Sequence, residues 1–223
     1  MTAREPAGHW PPHNDSDYRQ EAVIRLGEDL ADRFARVRLL VFDADGVLTP
    51  GSLVYGPDGE ALKEFHAHDG LGLVLARLGG LKLAVITGRD SAIVRRRCTE
   101  LRFDAIMLGR FDKMEALAEV LDATGCEAEE ALYMGDDVID LPAMFHVGVP
   151  TAVPGAPSEV REHCAWVATA PGGGGAVREV IELVLKSAGL MGQALERLMI
   201  REHQPTRSEL GSDVRPAGQG DPS

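Results

Sequence analysis

Five aspartates in two short segments hold most of the chemical potential of this chain. Asp43 and Asp45 lie in FDADG, and Asp136, Asp137 and Asp140 lie in GDDVID. Residues i and i+2 of an extended chain point the same way, so Asp43 and Asp45 can face one site, and Asp136 can join them from a neighbouring strand. Converging carboxylates repel and raise one another's pKa unless a cation intervenes. An all-oxygen set with room for water suits Mg²⁺. Each aspartate alone is also a good turn or cap former, and Asp140, just before Leu141-Pro142, fits an N-cap as well as a site. Lys113 opens a predicted helix, where the dipole disfavours a cation, and lysine occurs only at 63, 82, 113 and 186. A bound anion would relieve that conflict. Thr87 and Gly88 offer a hydroxyl and backbone N–H groups between a strand and a helix, a place suited to phosphate. Gly46 suits either a close backbone approach to an anion or a plain turn, and Arg89 is a candidate anion contact or a surface charge at the helix start.

The elements that must position these groups alternate. Residues 19–36 read as an amphipathic helix with Val23, Leu26, Leu30 and Phe34 on one face. VRLLVF (37–42) is an apolar run typical of a strand buried on both faces, and it stops at Asp43. Residues 51–66 hold two short strands around Pro-Asp-Gly, a hairpin. A helix is predicted at 70–79, a strand at 82–86 ending before Thr87, a helix at 91–101 and a strand at 105–108. Asp112 and Glu115 form a capping-box pattern for the helix that Gly125 ends. The strand 131–134 leads into Gly135-Asp136-Asp137, Pro142 opens a helix, strands near 149–153 and 165–168 follow, and helices begin near 176 and 191. Alternation of this kind predicts an α/β fold with a parallel sheet flanked by helices. Ligands of such sheets bind at the C-terminal strand ends, where the polar segments fall.

Composition narrows the classes. The 223 residues carry 35 acids against 23 bases, a formal charge of −12, which argues against a general nucleic-acid surface. Hydrophobic residues at 44% suffice for a core. Cys98, Cys126 and Cys164 are too few and too scattered for a disulfide framework or a zinc site. No apolar run approaches the roughly 20 residues of a membrane span, and the N-terminus lacks the apolar stretch of a signal peptide. These features predict a cytoplasmic protein with no membrane or nucleic-acid partner. Residues 1–17 and 201–223 read as flexible extensions around a single domain at 18–200.

Taken in order, DADGVLT (43–49), ITGR (86–89), Lys113 and GDDVID (135–140) resemble the four motifs of the haloacid dehalogenase superfamily over roughly residues 37–189. The stretches RLLVFDADGVLT, GEALKEFHAHDGLGL, AVITGR, GDDVIDLPAM and GGGGAVREVIELVL narrow the resemblance to phosphatases of 3-deoxy-D-manno-octulosonate 8-phosphate and of related nonulosonate 9-phosphates. The resemblance implies a Rossmann-like phosphatase domain in lipopolysaccharide biosynthesis. It implies Asp43 as nucleophile and Asp45 as general acid and base. Mg²⁺ would sit on Asp43, the Asp45 backbone carbonyl and Asp136, with Asp137 and Asp140 in support. Thr87 and Lys113 would bind the transferring phosphoryl group, with Gly46, Gly88 and Arg89 at the substrate.

The segments between motifs are too short for a separate cap domain, since the hairpin and one helix take up most of 46–86, and one helix and one strand fill 88–112. In capless relatives the hairpin and neighbouring subunits close the site, so a homotetramer with residues 51–66 at a contact is expected. Two departures from the family pattern, His68 and Gly174 at positions where arginine is common, bear on the substrate. Motif order argues against a signalling receiver domain, in which the acidic pair follows the first strand and the phosphoacceptor aspartate the third. A phosphatase for another small metabolite and a catalytically idle sugar-binding or assembly module are the alternatives.

Overall fold

The computed structural model describes residues 10–199, so the expectations for 1–9 and 201–223 lie outside the described residues. Six strands form one parallel sheet: β1 (Leu39–Phe42), β4 (Lys82–Thr87), β5 (Ala105–Leu108), β6 (Ala131–Gly135), β7 (Val149–Ala152) and β8 (Trp166–Val167). Their order is β5-β4-β1-β6-β7-β8. The chain builds outward from β1 in one direction, then returns to build outward in the other, so the topological switch point lies at β1 and its neighbours. β1 is buried at every position, as a continuous apolar run requires when helices cover both sheet faces. Its register pairs Phe42 with Val85 on one side and Met134 on the other. Asp43, Thr87 and Asp136 therefore emerge side by side where the three central strands end.

The separate hairpin is β2 (Val54–Gly56) with β3 (Gly59–Leu62), carrying a register shift at Val54/Tyr55. Among the described residues no cap domain is inserted between the motifs. One helical layer joins α1 (Asp15–Leu26), α2 (Glu28–Ala35), α3 (Ala67–Leu78), α8 (Ala176–Ser187) and α9 (Met191–Met199). Asp69 of α3 fastens that layer by accepting the N–H groups of Gly175 (3.1 Å) and Arg178 (2.8 Å) at the start of α8. α4 (Ala92–Glu100) packs on β5, while α5 (Lys113–Thr124) packs on β4, β5 and α6 (Leu141–Met144). The short α7 (Ser158–Arg161) leads to β8. No helix among the described residues is long and apolar enough to cross a membrane.

Three expectations need correction. The single helix read over 19–36 is α1 and α2, broken where Gly27 takes φ +77° and its N–H closes α1 onto the Val23 carbonyl at 2.8 Å. The apolar period runs across the break, so periodicity alone hides it. α1 also begins at Asp15, inside the segment 1–17 read as an extension, because Asn14 and Asp17 form a reciprocal capping box. At α5, Asp112 caps the Glu115 N–H as expected (2.9 Å), but the Glu115 carboxylate turns to Arg110 (3.1 Å).

Candidate active site

The strand ends open into a cavity of about 400 Å³ lined by Asp43, Asp45, Thr87, Gly88, Arg89, Lys113, Asp136 and Asp137, with Gly51, Leu53, Phe111 and Ile139 completing the wall. All three polar strand ends and the start of α5 thus meet in one place. Asp140 sits behind the wall, wholly buried.

Lys113 is the hub. As the first residue of α5 it would burden the helix dipole, yet only 1% of its side chain is exposed. Its three donors find three acceptors: Asp43 Oδ1 (2.5 Å), the Ile86 carbonyl (2.7 Å) and Asp140 Oδ1 (3.0 Å). Burial alone would lower the lysine pKa, but Asp43 and Asp140 outweigh it and the ammonium is held above its ordinary range. A buried ion pair of this kind costs desolvation that apolar packing would avoid, so stability alone does not account for it.

Asp43, Asp136 and Asp140 place carboxylate oxygens within 4.8 Å of one another. Burial pushes Asp43 up to about 7, with Lys113 opposing and Asp140 adding to the rise. Burial, then the charges of Asp43 and Asp140, push Asp136 to about 7 as well. Three hard oxygen donors, with the charged forms of Asp43 and Asp136 penalised, fit a divalent cation such as magnesium. Asp140 is heavily engaged, accepting from Tyr133 Oη (2.9 Å), Asp136 N (3.1 Å) and Asp137 N (3.4 Å) besides its contact with Lys113. That leaves Asp43 and Asp136 better placed to face a ligand. The N-cap reading of Asp140 does not hold: its side chain caps nothing at the start of α6 and faces backward into the site. Asp137 is exposed and caps the turn 138–140, with Oδ1 accepting from Val138 N (2.7 Å).

Asp43 and Asp45 line the same cavity, but their carboxylates diverge. The chain turns after Asp43, with Leu48 N and Thr49 N both donating to the Ala44 carbonyl at 3.0 Å, so the extended-chain premise ends there. Asp45 is instead held by Lys63 through Oδ1, and by Arg89 Nε, 3.5 Å from Oδ2. Gly46 follows at φ +95°, and a Cβ there would lie 2.0 Å from Asp136 Oδ2, so only glycine lets the two loops meet. The glycine run 172–175 buttresses this turn: Gly173 N donates to the Val47 carbonyl (2.8 Å), and a Cβ on Gly172 would lie 1.7 Å from the Gly46 carbonyl oxygen. Thr87 is buried, with Oγ1 3.5 Å from Arg89 N. Gly88 lies beside the Phe111 ring. His68 and Gly174 are not among the residues lining the cavity.

Lys63, Glu60, Ser91 and Tyr133 belong to the site without a motif to mark them, and only Lys63 carries a signal in the sequence, as one of four lysines.

The raised carboxylates have a measurable consequence. Between the ordinary carboxylate value of 3.8 and about 7, the metal-free folded protein binds protons that the unfolded chain has released. Its stability therefore falls as pH rises through that window, and a cation removes the penalty. Thermal melts with EDTA should show the midpoint falling between about pH 4 and pH 7, and the gain on adding Mg²⁺ growing over the same interval. A gain that does not change with pH would contradict this account.

The chain matches the haloacid dehalogenase-like hydrolase family over residues 94–181. It is 38% identical over 160 residues to the 3-deoxy-D-manno-octulosonate 8-phosphate phosphatase of Haemophilus influenzae, covering 72% of this chain and 89% of that protein. The Escherichia coli K12 enzyme of the same name is 36% identical over 169 residues, covering 76% of this chain and 90% of that protein. The crystal structure of the Yersinia pestis phosphatase superposes with a TM-score of 0.72 at 36% identity, covering 74% of this chain and 89% of that one. The Moraxella catarrhalis phosphatase, solved with magnesium, phosphate and a KDO molecule, gives 0.72 at 35% identity, covering 78% and 98%. The H. influenzae phosphatase in its cobalt-bound form gives 0.69 at 38% identity, covering 70% and 92%. A Rossmann-like sheet with a hairpin and no inserted cap, a lysine pinned between two aspartates, and these likenesses lead to one assignment: the chain belongs to the haloacid dehalogenase-like hydrolases, is similar to 3-deoxy-D-manno-octulosonate 8-phosphate phosphatases, and is a phosphoric monoester hydrolase.

Proposed function

We propose that this chain hydrolyses a sugar-acid phosphate of the 3-deoxy-D-manno-octulosonate 8-phosphate type through a phosphoaspartate on Asp43. The observation that carries the reading is the Lys113–Asp43 contact at the floor of the cavity, with Asp45 on the same wall but facing elsewhere. Asp43 offers an oxygen for in-line attack on phosphorus, and Lys113 and Thr87 hold the phosphoryl oxygens. Asp45 gives a proton to the departing sugar alkoxide as its P–O bond breaks, and later takes one from the water that cleaves the phosphoaspartate. Asp43, Asp136 and the Asp45 carbonyl would hold Mg²⁺, with Asp137 and Asp140 in support. Bound there, Mg²⁺ would neutralise the phosphoryl charge and favour the ionised form of Asp43. Gly46 and Gly88 leave room for the phosphoryl group, and Arg89 at the mouth suits the sugar-acid carboxylate.

A phosphate-release screen with Mg²⁺ across sugar-acid phosphates and small metabolite phosphates tests this reading. The expected result is preference for the eight-carbon ester and loss of release with EDTA. Preference for a different ester would move the substrate, and release from none would return the chain to an idle binding module.

A cytoplasmic homotetramer, with 18–200 as its catalytic domain, completes the proposal. Leu53, Val54, Tyr55 and Leu62 of the hairpin region are exposed, an apolar surface that a neighbouring subunit would cover. Light scattering at micromolar protein should give four chains, and a monomer mass would defeat this part.

A further inference from the structure

Lys63 follows β3 directly, and its side chain is 1% exposed, which is rare for lysine unless it is paired. Its Nζ donates to Asp45 Oδ1 and lies 3.0 Å from Glu60 Oε1. The other Glu60 oxygen accepts from Ser91 Oγ, which itself caps α4 by accepting from Val94 N at 3.2 Å. The second strand of the hairpin is tied in as well, since Arg89 Nη1 donates to Tyr55 Oη at 3.2 Å while Arg89 Nε faces Asp45 Oδ2. Both oxygens of Asp45 are thus held by cations, and each cation is anchored to the hairpin. An apolar residue at position 63 would serve packing at a lower desolvation cost.

We propose that Lys63 is a positioning residue, which holds the Asp45 carboxylate toward the leaving-group side of the cavity and away from the Asp43–Asp136–Asp140 cluster. The hairpin then serves catalysis within one subunit, whatever covers its outer face. The inference rests on the reading of Asp45 as proton donor, and its test separates the two. Without Lys63, Asp45 is free to swing toward the cluster, and protonation of the leaving oxygen suffers while attack by Asp43 does not. An alkyl ester, whose alkoxide needs that proton, should therefore be affected far more than an aryl ester, whose phenolate does not.

The experiment compares kcat/KM of Lys63→Met on 3-deoxy-D-manno-octulosonate 8-phosphate and on p-nitrophenyl phosphate, with Mg²⁺ and the full chain. The expected loss is about 100-fold on the sugar ester and within about 5-fold on the aryl ester, and Lys63→Arg should recover most of it. Equal losses on both esters, or none on either, would overturn the positioning role while leaving the nucleophile assignment intact. Should Lys63→Met fail to fold, Glu60→Gln keeps the lysine and frees one of its anchors. It should show the same ester selectivity at smaller size, and an unselective loss there overturns the proposal equally. Asp45→Asn, run beside them, reports on the underlying reading: a loss confined to the sugar ester upholds Asp45 as the donor, and an equal loss on both esters would remove that donor role itself rather than Lys63's part alone.

Discussion

Replacing Asp43 by Asn lowers phosphate release by at least about 10⁴-fold, with the protein still folded, because the amide cannot supply the attacking oxygen and no other carboxylate holds its place. Asp43 takes the contact with Lys113 at 2.5 Å, while Asp45 is turned to Lys63 and Arg89. Asp136 sits at the neighbouring strand end and does not contact Lys113 within ion-pair distance among the described residues. The same substitution should not destabilise the metal-free protein above neutral pH. Burial pushes the Asp43 carboxyl up to about 7, so its ionisation opposes folding there, and a neutral amide escapes that penalty. Steady-state phosphate release and thermal melts at pH 8 with EDTA check the two halves. Substantial turnover, or a collapse of the fold, would contradict the assignment.

Lys113→Met is the second large effect, and it moves function and stability together. Loss of the cation that faces the phosphoryl oxygens should cost about 10³-fold in kcat/KM. Removing one partner from a buried charge cluster should also destabilise the metal-free protein by about 3 kcal/mol at pH 8.5. The pH dependence follows from the sign of the Lys113 contribution, which lowers the Asp43 pKa. Without Lys113 that pKa rises further, so at pH 6 the carboxyl is neutral in the variant and the deficit relative to wild type shrinks. Urea unfolding at pH 6 and pH 8.5 measures this, and an equal deficit at both values would show that Asp43 is not the group left unpaired.

The sequence announces the strand ends well because each central strand is an apolar run cut off by a polar segment: Phe42 before Asp43, Ile86 before Thr87, Gly135 before Asp136. The hairpin and the start of α5 are equally local, written in Pro57-Asp58-Gly59 and in Asp112. What stays hidden is whatever depends on partners far along the chain. The residues around Asp140 leave it open between a cap and a site, because its neighbours are Leu141 and Pro142, and its place is settled only by Tyr133 and by Lys113 from α5. Lys63 reads as one more charge on a strand until the hairpin folds over and brings it to Asp45, 18 residues back. The break at Gly27 escapes for a different reason, since the buried face continues in phase from α1 into α2 and only a backbone angle separates them.

Trapping the phosphoaspartate tests the central claim most directly. The enzyme, with Mg²⁺ and 3-deoxy-D-manno-octulosonate 8-phosphate, is quenched in acid during turnover, reduced with borohydride and mapped by peptide mass spectrometry. Reduction of an acyl phosphate converts its aspartate to homoserine, so the account predicts homoserine at position 43 and an unaltered Asp45. Turnover with position 43 left as aspartate and the reduced residue found at another carboxylate would contradict it.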